Sequence, residues 1–196
     1  MSKHIFLTGD VQVGKSTVIQ KVLSSFDGSV GGFRSAFDAR RNEAERWLYL
    51  WDAAETPVPD EAYGVVRFTD RYRSEVFPDR FNELGGGALR RAKEKGVSLI
   101  LMDECGRFEG SAEEFRREIF SALDGDIPIL GVVRQGAHGW LDDLRAHPNV
   151  TVLTVTLDNR DTLPCEIKTL LGHSMHHKNL APSFVCDTDA SSVDKT

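Results

Sequence analysis

Residues 9–16 read Gly9-Asp10-Val11-Gln12-Val13-Gly14-Lys15-Ser16 and match the pattern G-x-x-x-x-G-K-[S/T] without mismatch. The glycines let the backbone curl until its N–H groups face inward and form an anion nest. A helix that starts directly after the loop adds its N-terminal partial positive charge. In this pattern the lysine, Lys15, reaches the β and γ phosphates, and the hydroxyl of Ser16 ligates magnesium (Mg2+). The same octet can arise by chance in an ordinary loop, so its flanks decide. His4-Ile5-Phe6-Leu7-Thr8 is a short apolar run ending at glycine, which reads as a buried strand. After the loop, Ser16 to Phe26 carries Val18, Ile19, Val22 and Leu23 at helical spacing. Strand, loop and helix stand in the required order, so the loop, with Thr17 after it, reads as a phosphate cradle.

A second apolar strand, Val97 to Met102, closes on Asp103-Glu104. At a strand end the first carboxylate can hold a magnesium-bound water, and the second can orient or deprotonate an attacking water. Alone, such a pair is an ordinary solvated turn; beside the glycine loop it points to catalysis, with Glu104 and Lys15 as the catalytic candidates. Glutamate here favours hydrolysis over transfer to an acceptor, although kinases also place a carboxylate near this point. Developing negative charge also calls for a cation. Arg34, Arg107, Arg134 and Arg160 are the candidates, each of which alone reads as a surface or structural arginine. No N-K-x-D segment selects guanine. Trp47-Leu48-Tyr49-Leu50-Trp51 can stack on a base, but sheet packing is the better reading. His173, His176 and His177 read as solvated rather than metal-binding.

Further elements follow from periodicity. Val30 to Arg40 and Glu45 to Ala53 read as strands joined by a polar turn at Arg41-Asn42, and Tyr63 to Phe68 as another strand. Asp79 to Lys95 is helical, with a break or close backbone contact expected at Gly85-Gly86-Gly87 and a cap at Gly96. Ser111 has the look of an N-cap with Glu114 three residues on, opening a helix to about Leu123. Ile127 to Val133 and Val150 to Val155 are strands, and Gly139 to Ala146 and Asp158 to Leu171 helices, with Pro164 as an offset or true start. The fold class is therefore α/β, a mostly parallel central sheet flanked by helices, with an antiparallel hairpin added. Residues 1–172 form one domain; residues 173–196 are read as a largely disordered tail.

The 196 residues carry a net charge of −6 and 40% hydrophobic side chains. A core is affordable, and no diffuse basic surface suggests nucleic acid or membrane. Three cysteines at wide spacing (Cys105, Cys165, Cys186) argue against a disulfide framework or zinc site, and a cytoplasmic setting is expected. No segment reads as a signal peptide or membrane span, so the Asn149-Val150-Thr151 sequon is expected to stay unmodified. Composition leaves the oligomeric state open and is compatible with a monomer.

Residues 4–171 resemble the small P-loop nucleoside-triphosphatases of the cancer-related nucleoside-triphosphatase type. The likeness rests on GDVQVGKST, on Gly32-Phe33 and on Asp103-Glu104-Cys105-Gly106-Arg107-Phe108-Glu109, similar to the family's D-E-I-G-x-M-E. It rests also on His147-Pro148-Asn149-Val150 and on Val155 to Pro164, similar to V-T-x-E-N-R-D-x-L-P. Cys105 and Phe108 stand where the family has an aliphatic residue and a methionine, and Gly131-Val132-Val133-Arg134 departs from its G-T-I continuation. The resemblance implies a RecA-like α/β NTPase that slowly hydrolyses ATP, GTP and other nucleoside triphosphates to the diphosphate and phosphate, with little base preference. It implies nucleotide contacts from Gly9 to Thr17, from Met102 through Asp103, Glu104, Cys105 and Gly106 to Arg107, and from Asn159 and Arg160. A small-molecule or nucleotide kinase and a nucleotide-dependent binding module are the alternatives.

Overall fold

The computed structural model describes residues 3–37, 46–57, 60–70 and 73–176. The strands are β1 (His4–Thr8), β2 (Val30–Phe37), β3 (Arg46–Asp52), β4 (Gly64–Phe68), β5 (Ser74–Val76), β6 (Leu99–Cys105), β7 (Ile129–Val133) and β8 (Val150–Thr154). They form one sheet in the order β5-β4-β3-β2-β6-β7-β1-β8. From β2 to β8 every pairing is parallel, whereas β3, β4 and β5 extend the sheet antiparallel from β2. In the parallel part Phe6 pairs with Gly131, and Gly131 with Met102. Gly131 fits this row because a Cβ there would lie 2.5 Å from the Phe6 ring. The turn at Arg41-Asn42 lies outside the described residues.

Helices cover both faces, which is why the central strands are apolar throughout. α1 (Lys15–Leu23) and α6 (Leu163–His176) pack on one face, where Val18, Ile19, Val22, Ile167 and Leu171 meet Ile5, Leu7, Leu101 and Leu130. On the other face lie α2 (Pro78–Arg80), α3 (Gly87–Lys95), α4 (Glu113–Asp124) and α5 (Trp140–Ala146), with Leu89, Phe115, Ile119 and Leu144 against Phe6, Phe33 and Met102. On the antiparallel wing, Trp47, Tyr49 and Trp51 are buried against Tyr63 and Phe77, while Leu48 and Leu50 join the main core. The aromatic run therefore packs the sheet and is not a base platform. No described helix is long and apolar enough to cross a membrane.

Three expectations are corrected. Ser111 ends a 3-10 turn, Phe108–Ser111, and does not cap α4, whose N-cap is Ala112 without a side-chain bond. The cap comes from elsewhere: the Asn82 side-chain oxygen accepts from the Phe115 N–H at 2.9 Å, satisfying a first-turn donor. The last helix starts at Leu163, not Asp158, with Pro164 in its first turn. It runs on to His176, past the expected tail start at 173, because a single Gly172 costs only about 1 kcal/mol of helix propensity. Residues 177–196, including His177 and Cys186, lie outside the described residues.

At the triple glycine the expected alternatives resolve to a close contact and not a break. A π-helical turn, Phe81–Gly86, joins α2 to α3, and Gly96 closes α3 in the left-handed conformation. Gly85 lies against Phe115, whose ring contacts Phe33 and Phe81; a Cβ on Gly85 would sit 2.5 Å from that ring. At Gly86 the nearest atom is the mobile end of Arg90, 3.4 Å away. Two helical glycines should therefore respond oppositely. Gly85→Ala is expected to destabilise by about 1–3 kcal/mol through overpacking. Gly86→Ala is expected to be neutral or stabilising by up to ~1 kcal/mol. Urea denaturation of both variants tests the contrast.

Candidate active site

The glycine loop leaves β1 and enters α1 through a tight reversal. Gly9 and Gly14 have φ of 136° and 111°, and Gly14 is the N-cap residue of α1. Val13 turns into the core and pins the loop, while Val11 is 78% exposed. Lys15 folds back over the loop, donating to the carbonyls of Gly9 at 2.8 Å and Asp10 at 2.7 Å. Burial lowers the Lys15 pKa, Glu104 opposes that shift, and Arg134 adds to it.

β6 does not stop before the carboxylates but runs through them to Cys105, with its pairing to β7 shifting between Met102 and Cys105. Glu104 sits at that irregularity with φ of 68°, a left-handed conformation that strains a residue with a Cβ. Its carboxylate meets the Arg134 guanidinium at 3.3 Å. Asp103 is held beside β2, where the Ser35 hydroxyl donates to its carbonyl at 2.7 Å. Burial, and then the neighbouring Glu104 charge, push its carboxyl up to about 6, against the Ser35 backbone bond and Arg34. The half-buried Asp103 carboxyl and the Ser16 hydroxyl at the start of α1 are both hard-oxygen donors, the type that magnesium takes. The next residues are not free to bind: Met102 is fully buried, and Cys105 is core, its thiol pushed up by burial. Gly106 donates its N–H to Glu109 at 3.0 Å. Arg107 lies over the Phe108 ring at 4.9 Å and lines a small side hollow shared with Glu104 and Arg134.

The principal cavity, about 570 Å3, is bounded on one side by Val11, Gln12 and Gly14 to Thr17. Phe37, Arg46, Glu104 and Arg134 close the other side. Phe37 and Arg46 escape sequence reading, since nothing local marks two hairpin residues for a loop outside their hairpin. An adjoining hollow of about 280 Å3 is walled by Gly9, Asp10, Lys15, Glu104 and Arg134. A third, about 290 Å3, shares Gly14 and Thr17 with the principal cavity and ends at Lys21, Arg160 and Asp161. Arg160 thus lies beside the loop. The side chain of Asn159 is engaged in its own turn: its oxygen accepts from the Thr156 N–H at 2.8 Å and its amide donates to the Thr154 carbonyl at 2.9 Å. That side chain shapes the turn which carries Arg160.

A glycine cradle ahead of a helix, facing Glu104 at the end of a parallel strand two places away with Asp103 just before it, defines a P-loop NTPase. The NTPase family model matches residues 4–168, and the chain belongs to that family and is a hydrolase. It is 26% identical over 181 residues to nucleoside-triphosphatase THEP1 of Thermofilum pendens, covering 85% of this chain and 93% of that one. It is 29% identical over 191 residues to the cancer-related nucleoside-triphosphatase homolog of Bos taurus, covering 86% and 96%. The crystal structure of THEP1 from Aquifex aeolicus shares the fold with a TM-score of 0.68 at 20% identity, over 86% of this chain and 98% of that one. The solution structure of a human cancer-related nucleoside triphosphatase does so with 0.66 at 24%, over 88% and 99%.

Two outcomes test this geometry. Glu104→Gly is expected to raise stability by about 1 kcal/mol by relieving the left-handed backbone, while phosphate release is lost; thermal denaturation and a phosphate assay read the two effects. Glu109 is 5% exposed, and burial pushes its carboxyl from 4.5 up to about 7. The folded state therefore holds this proton more tightly than the unfolded chain. The resulting stability is complete below pH 4.5 and lost as pH rises through about 7. Urea titrations across that range should show Glu109→Gln, which stays neutral, gaining on the wild type as pH rises and levelling off above it.

Proposed function

We propose that the chain hydrolyses ATP, GTP and other nucleoside triphosphates to the diphosphate and phosphate, with magnesium. The observation that carries the reading is the convergence of Lys15, Ser16 and Glu104 on one cavity whose floor is the glycine loop. The loop N–H groups receive the phosphates, and Lys15 gives up its loop carbonyls for the β and γ oxygens. Magnesium, when bound, would supply neutralising charge to the phosphates. Ser16 would hold it directly and Asp103 through a water. Glu104 orients a water in line with the γ phosphorus and takes its proton as the new P–O bond forms. The bond from the γ phosphorus to the bridging oxygen breaks, and the diphosphate leaves.

Base and ribose fit the hollow that continues past Gly14 and Thr17 to Arg160. A guanidinium face stacks on any base. The polar groups beyond it are engaged with each other, Lys21 pairing with Asp161 at 2.9 Å. Broad base acceptance follows. Phosphate release from ATP, GTP, CTP and UTP should give KM values within about tenfold of one another, since no bidentate base contact worth ~1–3 kcal/mol is formed. Glu104→Gln should lower kcat by about 10²–10⁴-fold while nucleotide binding survives. Lys15→Ala should lose binding and turnover together. Unchanged turnover in Glu104→Gln overturns the assigned mechanism.

A further inference from the structure

Among the described residues that line the principal cavity, Arg134 is a cation from outside the glycine loop and is paired with the catalytic carboxylate. Arg134 follows β7, and its backbone is fixed from both sides. Its N–H donates to the Cys105 carbonyl at 2.9 Å, extending the pairing of β7 with β6. Its carbonyl accepts from the Arg145 guanidinium, which also donates to Ala137 at 2.8 Å and to Asp142 at 3.0 Å. Arg145 thus ties the start of the segment after β7 to α5. From this anchored backbone the Arg134 side chain reaches back over the cavity, lining it together with Lys15 and Glu104, and pairs with Glu104 at 3.3 Å. Both partners are about 40% exposed, so the pair is an exchangeable contact and not a buried clamp.

The other arginines are placed differently. Arg160 faces the far hollow, Arg107 lies on Phe108, and Arg34 stands beside Asp103. Arg46 lines the cavity with its guanidinium over the Phe68 ring at 4.9 Å and the Phe37 ring at 5.6 Å.

We propose that Arg134 is the arginine this chain supplies to its own transition state, and that its pair with Glu104 is a resting state that the γ phosphate dissolves. This rests on the hydrolysis reading above. At rest the guanidinium occupies one oxygen of Glu104. An incoming γ phosphate, with more negative charge and three oxygens, outcompetes one carboxylate for a bidentate donor. Arg134 then swings onto the γ phosphate, and one carboxylate oxygen of Glu104 is released to accept a proton from water. As that water attacks, charge builds on the equatorial and bridging oxygens, and the guanidinium stabilises it. After the diphosphate and phosphate leave, the ion pair reforms. Arming of the base is thereby coupled to the presence of a third phosphate, so a diphosphate leaves Glu104 occupied.

Arg134→Ala and Arg134→Lys, measured beside wild type and Glu104→Gln, test the assignment. Arg134→Ala should lower kcat for ATP by about 10²–10³-fold, with the Kd for ADP changed less than threefold. Wild type should bind ADP with fluoroaluminate much more tightly than ADP alone, and Arg134→Ala should lose that gain. Arg134→Lys should recover only part of the rate, because an ammonium lacks the planar fork. Added guanidinium ion should raise turnover of Arg134→Ala and not of Lys15→Ala. The double variant Glu104→Gln/Arg134→Ala separates contact with phosphate from mere orientation of Glu104. It should fall at least tenfold below Glu104→Gln alone. Equal turnover of the single and double variants, or undiminished fluoroaluminate affinity in Arg134→Ala, overturns the proposal. A wild type that gains nothing from fluoroaluminate overturns the proposal and leaves hydrolysis standing, whereas a wild type that releases no phosphate from any nucleoside triphosphate overturns the hydrolysis reading itself.

Discussion

The parallel row Phe6–Gly131–Met102 is the constraint on which the site depends. β1, β7 and β6 are locked in register there by main-chain hydrogen bonds, with the Phe6 ring lying where only a glycine leaves room. Parallel strands end on the same side of a sheet, so whatever follows each strand emerges at one edge. The glycine loop emerges after β1, the carboxylates at the end of β6, and Arg134 after β7. A slip of one residue between β1 and β7 would drive the Phe6 ring against a valine or leucine and turn the edge residues to the wrong face. Precision at the site is thus imposed from the middle of the core.

The edge is electrostatically crowded by design of the backbone. Asp103, Glu104 and Glu109 lie within a few residues of one another, and two of the three have carboxyls pushed upward by burial. Lys15 and Arg134 stand opposite, and burial pulls the lysine down. Such an arrangement is costly for an isolated fold. On its basic side it is suited to a polyphosphate, whose negative charge complements Lys15 and Arg134. The P-loop lysine bonded to its own loop carbonyls and the glutamate bonded to Arg134 are local compensations that such a ligand would replace.

How much of this was legible before folding depended on whether the cause was local. Gly9 to Ser16, the apolar strands and the helical spacing of Val18, Ile19 and Val22 are short-range signals, and the structure places them as the sequence implies. The α/β class and the antiparallel wing follow from them. Phe37 and Arg46 were not legible as cavity walls, because the wing folds over the loop through contacts remote in sequence. Asn82 caps a helix it does not belong to, which makes Ser111 a false signal. Met102 and Cys105 fall inside a motif-bearing segment but join one core cluster, since the register irregularity at Glu104 breaks the alternation that would send residues three apart to opposite faces. Asn159 sits in a specific-looking triplet yet spends its amide on its own turn.

The left-handed backbone at Glu104 has a genetic consequence. Every glutamate codon becomes a glycine codon by one change at its middle base, and glycine is the residue that this conformation favours. Selection for folding alone would therefore have a one-step path away from Glu104. A lineage that keeps the acid at this position does so against the preference of its own backbone. The φ of 68° thus marks a position where backbone preference and side-chain identity pull in opposite directions.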